Sequence, residues 1–151
     1  MRGEPLNVLH VEDNPDHAHL VKRSLRRYRV ANQIWQLEDG EEALDYLLHR
    51  GRFEDKEAHP RPDLVLLDLR LPKIDGLEVL QVIKNTDELL QIPVVILTSS
   101  EAERDVAQAY ECHANSYLVK PVGFEQFTDM MEQLGFYWLG WNHYPWAASP
   151  S

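Results

Sequence analysis

Apolar and polar positions along this chain follow two periods. Short unbroken apolar runs alternate with stretches whose apolar residues recur three and four apart. Asn7-Val8-Leu9-His10-Val11 reads as a strand that stops at Glu12-Asp13. Asn14-Pro15 then supplies a cap and a proline for the first helical turn. The helix runs to about Tyr28, with Leu20, Val21, Ser24, Leu25 and Tyr28 on one face. Gln33 to Leu37 is a weaker strand, and Asp39-Gly40 turns into a helix near Glu42 to Arg50 with Ala43, Leu44, Leu47 and Leu48 inward. Gly51 to Pro62 is a polar loop in which Pro60 and Pro62 forbid helix. Leu64 to Leu67 and Val94 to Leu97 are continuous apolar runs, as expected of strands buried on both faces. Between them Asp75-Gly76 opens a helix through about Asn85. A polar helix (Glu101 to Glu111), a strand (Ser116 to Val119) and a last helix (Phe124 to about Leu139) complete the pattern.

Five strands alternating with five helices predict an α/β fold, an open, doubly wound parallel sheet covered on both faces. Ligands of such sheets bind beyond the carboxyl ends of the strands. Those ends carry Glu12-Asp13, Asp68, Thr98 and Lys120. Three carboxylates crowded together repel, one pair at ~4 Å by about 4 kcal/mol at an effective dielectric of 20. A hard cation such as Mg²⁺, held by one or two carboxylates with waters retained, relieves that repulsion and leaves room for a phosphate. Asp68 is then the candidate nucleophile, forming an acyl phosphate. Thr98 is placed to hydrogen-bond one phosphoryl oxygen, and Lys120 to pair with another.

Composition narrows the setting. The chain has 151 residues, one cysteine (Cys112) and a formal net charge of −10. That length fits one domain, the single cysteine excludes a disulfide framework, and the acidic balance argues against a nucleic-acid partner. No apolar run approaches the ~20 residues of a membrane span, and Met1 to Pro5 has no signal-like apolar core, so a cytoplasmic protein without membrane contact is expected. Two local biases stand out. Five of the six bases among the first 31 residues lie between Lys22 and Arg29, and six of the 14 aromatics lie between Phe136 and Trp146.

With these residues in place the sequence resembles the receiver domains of two-component response regulators. The match rests on Val8-Leu9-His10-Val11-Glu12-Asp13-Asn14, Asp63 to Pro72 with Asp75-Gly76, Pro93 to Thr98, and Tyr117-Leu118-Val119-Lys120-Pro121. The resemblance implies a flavodoxin-like (βα)5, CheY-like fold, and phosphoryl transfer to Asp68 from a sensor histidine kinase. It implies Mg²⁺ on Asp13, Asp68 and the backbone carbonyl of Arg70, with Glu12 acting mainly through water. Thr98 and Tyr117 would be the switch pair, and the basic first helix a docking face for the kinase. On this reading residues 1–5 are a tail, 6–139 the receiver and 140–151 an aromatic tail, with no output domain. Output would then be a change in the domain's own contacts. Arg70, two residues past the acceptor, is expected at the rim, where a long cation can cover the phosphoryl group and slow its hydrolysis.

A narrower resemblance points to the small receivers encoded beside bacterial and cyanobacterial phytochromes. It rests on the loop Gly51 to Arg61, Leu71-Pro72-Lys73, Tyr110 to Asn115 and Phe136-Tyr137-Trp138-Leu139. It implies a bacteriophytochrome-type kinase as partner and a homodimer. Phe136, Tyr137, Trp138 and Trp141 are the candidate contacts, although the same rings can fold back over the protein's own sheet. Gly140 to Trp146 departs from that group in being more aromatic. Three rival functions remain at this stage. A haloacid-dehalogenase-type phosphohydrolase would also use Asp68, but needs a second acid where Arg70 stands. A flavodoxin-like cofactor binder would have a Ser/Thr/Gly-rich first loop in place of Glu12-Asp13. A phosphorylation-independent pseudo-receiver would have no use for an intact acidic set.

Overall fold

Five parallel strands in the order β2-β1-β3-β4-β5 form the sheet of the computed structural model. It describes residues 7–25, 33–99, 103–114, 116–120 and 123–135. The strands are β1 (Asn7–Val11), β2 (Gln33–Leu37), β3 (Leu64–Leu67), β4 (Val94–Thr98) and β5 (Ser116–Val119). The helices are α1 (Pro15–Leu25), α2 (Gly40–Leu47), α3 (Gly76–Lys84), α4 (Glu103–Glu111) and α5 (Phe124–Gly135). Each predicted element is present. The extensions expected for the first helix beyond Leu25, the fourth before Glu103 and the last beyond Gly135 lie outside the described residues, as do residues 1–5, Phe136, Tyr137, Trp138 and Trp141.

The two helical layers divide the strand side chains by parity, as the alternation of a pleated strand requires. Leu9, Val11, Val65, Leu67, Val94 and Ile96 pack with Leu44, Leu80 and Ala109 from α2, α3 and α4. Val8, Leu64, Leu66, Val95 and Leu97 pack with Val21 of α1 and Phe127 of α5. Every side chain of β3 and β4 is buried, which accounts for their unbroken apolar runs.

Helix boundaries follow local chemistry. Asp39 caps α2 by accepting from the Glu42 amide at 2.8 Å, so the helix starts at Gly40, two residues before the sequence suggests. It ends at Leu47 and short of Arg50, because His49 takes a left-handed conformation (φ 54°) that a helix does not continue. Asp75 caps α3, and its carboxylate accepts from the Gly76 amide.

The segment from Gly51 to Pro62 is more than the polar connection its composition suggests. It opens with a 3₁₀ turn at Gly51–Phe53, and Phe53 is buried. The Phe53 ring meets Tyr46 at 5.3 Å and His59 at 5.1 Å, edge-on in both cases. Tyr46 Oη donates to the Pro60 carbonyl at 2.8 Å. This aromatic staple sits at the amino-terminal edge of the sheet, away from the carboxyl ends that carry the candidate site residues.

Candidate functional site

The strand order sets β1, β3, β4 and β5 side by side, so four strand ends far apart in sequence meet on one edge. Backbone bonds lock their heights: the Asp68 amide donates to the Val11 carbonyl at 3.2 Å and the Lys120 amide to the Thr98 carbonyl at 2.7 Å. Glu12, Asp68, Thr98 and Lys120 are buried, whereas Asp13 is exposed.

Asp68 is held by donors on both oxygens. Its Oδ1 accepts from Thr98 Oγ1 at 2.8 Å and from the Arg70 amide at 3.1 Å. Its Oδ2 accepts from Lys120 Nζ at 3.0 Å. Burial pushes the Asp68 carboxyl up, but the Lys120 charge and these hydrogen bonds outweigh it and hold the group below its ordinary value. Glu12 accepts a short bond from the same ammonium. Burial dominates there, and the neighbouring Asp68 charge adds to it against Lys120, so the Glu12 carboxyl is raised to about 7. One ammonium thus serves two carboxylates, of which the acceptor candidate is the more readily ionised.

Glu12, Asp13 and Asp68 each offer a carboxylate oxygen, all within 4.8 Å of one another. When all are ionised, three carboxylates and one ammonium leave two negative charges, which a divalent cation balances. An all-oxygen donor set is what a hard cation requires. The residues present therefore fit such an ion.

The remaining expectations also find places. Tyr117, on β5 beside Ile96, is half-buried against the α3–α4 side of the core. Arg70 stands exposed at the rim, and its guanidinium is bound to the buried carboxylate of Asp105 on α4, a partner that sequence spacing does not reveal. Two histidines also belong to the neighbourhood. His17 of α1 faces Lys120 with Nδ1 3.1 Å from Nζ. His10, one strand repeat below Glu12, is buried, and neither ring nitrogen has a hydrogen-bond partner among the described residues. The signal for His10 was its parity with Glu12; for His17 it was the first turn of a helix that begins at the site.

Residues 8–132 match the model of the response regulator receiver domain. The chain belongs to that family. The receiver is 47 % identical over 146 residues to the "Probable methanogenesis regulatory protein FilR2" of Methanothrix harundinacea (strain 6Ac), covering 96 % of this chain and 91 % of the other. It is 40 % identical over 135 residues to response regulator Rcp1 of Synechocystis sp. (strain ATCC 27184 / PCC 6803 / Kazusa), covering 89 % and 90 %. The crystal structure of the Mn²⁺-bound form of Rcp1 matches with a TM-score of 0.88, covering 93 % of this chain and 99 % of that one. The phosphorylated cyanobacterial phytochrome response regulator RcpA matches with a TM-score of 0.89 at 35 % identity, covering 93 % and 99 %. A receiver is a phosphoacceptor, which removes the phosphohydrolase and the flavodoxin-like cofactor binder from consideration. Among the described residues no helix is long and apolar enough to cross a membrane.

Proposed function

We propose that Asp68 takes a phosphoryl group from a histidine of a phytochrome-type sensor kinase, and that the receiver signals in the cytoplasm by changing its protein contacts. The observation that carries the acceptor role is the donor set on Asp68: Thr98 and the Arg70 amide on one oxygen, Lys120 on the other. Attack by a carboxylate oxygen forms a P–O bond as the P–N bond of phosphohistidine breaks. The imidazole nitrogen leaves with that electron pair and takes up a proton. Thr98 and Lys120 are poised to follow the charge onto the phosphoryl oxygens. Asp13, Asp68, the Arg70 carbonyl and, through water, Glu12 are the ligands we assign to Mg²⁺. Bound there, the ion neutralises charge on the entering phosphoryl group. Thr98 moving toward that group vacates the space into which Tyr117 turns, which makes these two the switch pair.

Acetyl phosphate with Mg²⁺ tests the acceptor role. We expect an acid-stable, base-labile adduct on the wild-type chain, lost in Asp68→Asn and on chelation of the metal. An adduct that persists in Asp68→Asn would overturn the assignment, and no adduct on the wild type would favour a phosphorylation-independent module. Support for the phytochrome partner comes from the resemblance to Rcp1 and RcpA, and the likeness to FilR2 supplies a competing context. Light-dependent transfer from a purified bacteriophytochrome kinase to Asp68 separates the two. For the homodimer through Phe136, Tyr137, Trp138 and Trp141, sedimentation of the full chain against a truncation after Leu139 is decisive. The dimer assignment fails if both chains sediment alike.

A further inference from the structure

The three carboxylates of the cation site are not held alike. Asp68 accepts from Thr98 Oγ1, the Arg70 amide and Lys120 Nζ. Glu12 accepts from Lys120 Nζ on one oxygen and from the Asn14 amide at 3.2 Å on the other. Asp13 is exposed, and its carboxylate has no hydrogen bond or ion pair among the described residues. One of its oxygens nevertheless lies within 4.8 Å of those offered by Glu12 and Asp68. Its place is therefore set by the main chain, through the peptide units on either side of its Cα.

Both units are pinned. The one after Asp13 is held by its N–H, which Asn14 donates to Glu12 Oε2. The one before it lies past the end of the β1–β2 ladder, whose last rung is the Glu12 amide on the Leu37 carbonyl at 2.9 Å. Beyond that rung Glu38 turns its own amide to Glu42 Oε1 at 3.0 Å. A side chain takes the Glu12 carbonyl instead: Gln36 Nε2 donates to it at 2.8 Å and to the Leu37 carbonyl at 3.0 Å. Both partners are acceptors only, so the amide faces them with its nitrogen and uses both of its protons. Gln36 stands opposite His10 in the strand register, two positions short of Glu12, and so shares the face of the sheet on which Glu12 projects. We propose that Gln36 is a positioning residue for the cation. By fixing the Glu12–Asp13 peptide it aims the carboxylate that has no hydrogen bond of its own, as residues behind a metal ligand commonly do. The inference rests on the cation site proposed above, and Gln36 acts on it through the main chain without touching the hydrogen bonds of Asp68.

Binding of Mn²⁺ to the full chain, read from the free-ion signal in electron paramagnetic resonance with Mg²⁺ as competitor, tests this without a phosphodonor. Gln36→Met keeps the length of the side chain and removes the donor, whereas Gln36→Thr suits an edge strand and is too short to reach the carbonyl. Both variants should bind Mn²⁺ and Mg²⁺ about three- to tenfold more weakly than wild type. In labelling by acetyl phosphate, both should need correspondingly more Mg²⁺ for the half-maximal rate and reach the wild-type rate once the metal saturates. General loosening of the sheet does not give that split, because it lowers the saturated rate as well. Metal affinity equal to wild type in either variant would overturn the proposal. So would a saturated rate that falls in step with the affinity. A wild-type chain that binds neither ion would overturn the cation site itself, which separates failure of that reading from failure of the role given to Gln36.

Discussion

His10 is an imidazole in the position of an aliphatic core residue: 1 % exposed, with neither nitrogen paired among the described residues. Burial, and then the Lys120 charge, lower its pKa from 6.5 to about 3. The unfolded chain therefore binds a proton between pH 6.5 and 3 that the folded chain does not, so stability is whole above pH 6.5 and is lost as pH falls. At pH 5 the loss approaches ~2 kcal/mol by the slope of 1.36 kcal/mol per pH unit. His10→Leu should remove that acid-sensitive part and also add about 1–3 kcal/mol at neutral pH by deleting unpaired buried nitrogens. Urea titrations of both chains at pH 7.5 and pH 5 measure the two effects. The candidate site residues were legible beforehand, since Asp13, Asp68, Thr98 and Lys120 each end or follow an apolar run. His10 and His17 were not. Their parity and helical position placed them near the site, but the packing that buries His10 and brings His17 to Lys120 is set only in the packed fold.

Between elements, two contacts tie Asp68, the proposed acceptor, to its surroundings. Gly76 begins α3 against the end of β3, where an added Cβ would collide with the Asp68 carbonyl oxygen and stand 2.7 Å from Leu69 Cα. Both of these atoms are backbone, so neither yields. Gly76→Ala should destabilise by about 1–3 kcal/mol and displace the acceptor, visible as slower labelling by acetyl phosphate. Arg70 makes the second tie, its amide on Asp68 Oδ1 and its guanidinium on Asp105 of α4. Removing it in Arg70→Ala takes one charged hydrogen bond from a buried carboxylate, a loss of about 1.5–3 kcal/mol read from thermal or urea unfolding. The rim position also predicts a shorter-lived acyl phosphate in this variant. A lifetime equal to that of wild type would show that Arg70 serves α4 alone. The rim placement could be read from two residues' separation, but the partner, 35 residues on, needed the packed fold.

For the molecule as a whole, the candidate site and the aromatic staple sit at opposite ends of the sheet. Phe53→Ala should cost about 3 kcal/mol by opening the aromatic staple, and lower the melting temperature by about 6–12 °C. The rate of Asp68 labelling at a temperature where both chains are folded should not change. Alternating periods had already given the strand and helix order, because parity and helical spacing are local. They missed the staple because Phe53 is a single apolar residue among polar ones, and its burial comes from Tyr46 and His59 across the loop. The distance along the chain between Glu12 and Lys120 has a temporal meaning. Their carboxylate and ammonium meet across 108 positions, and Asp68 draws its donors from the end of β4 and from the residues that follow β3 and β5. A nascent chain still lacking its fifth strand would hold the acidic residues without their lysine. On the proposed mechanism, competence to be phosphorylated is therefore acquired only once the fifth strand has been made.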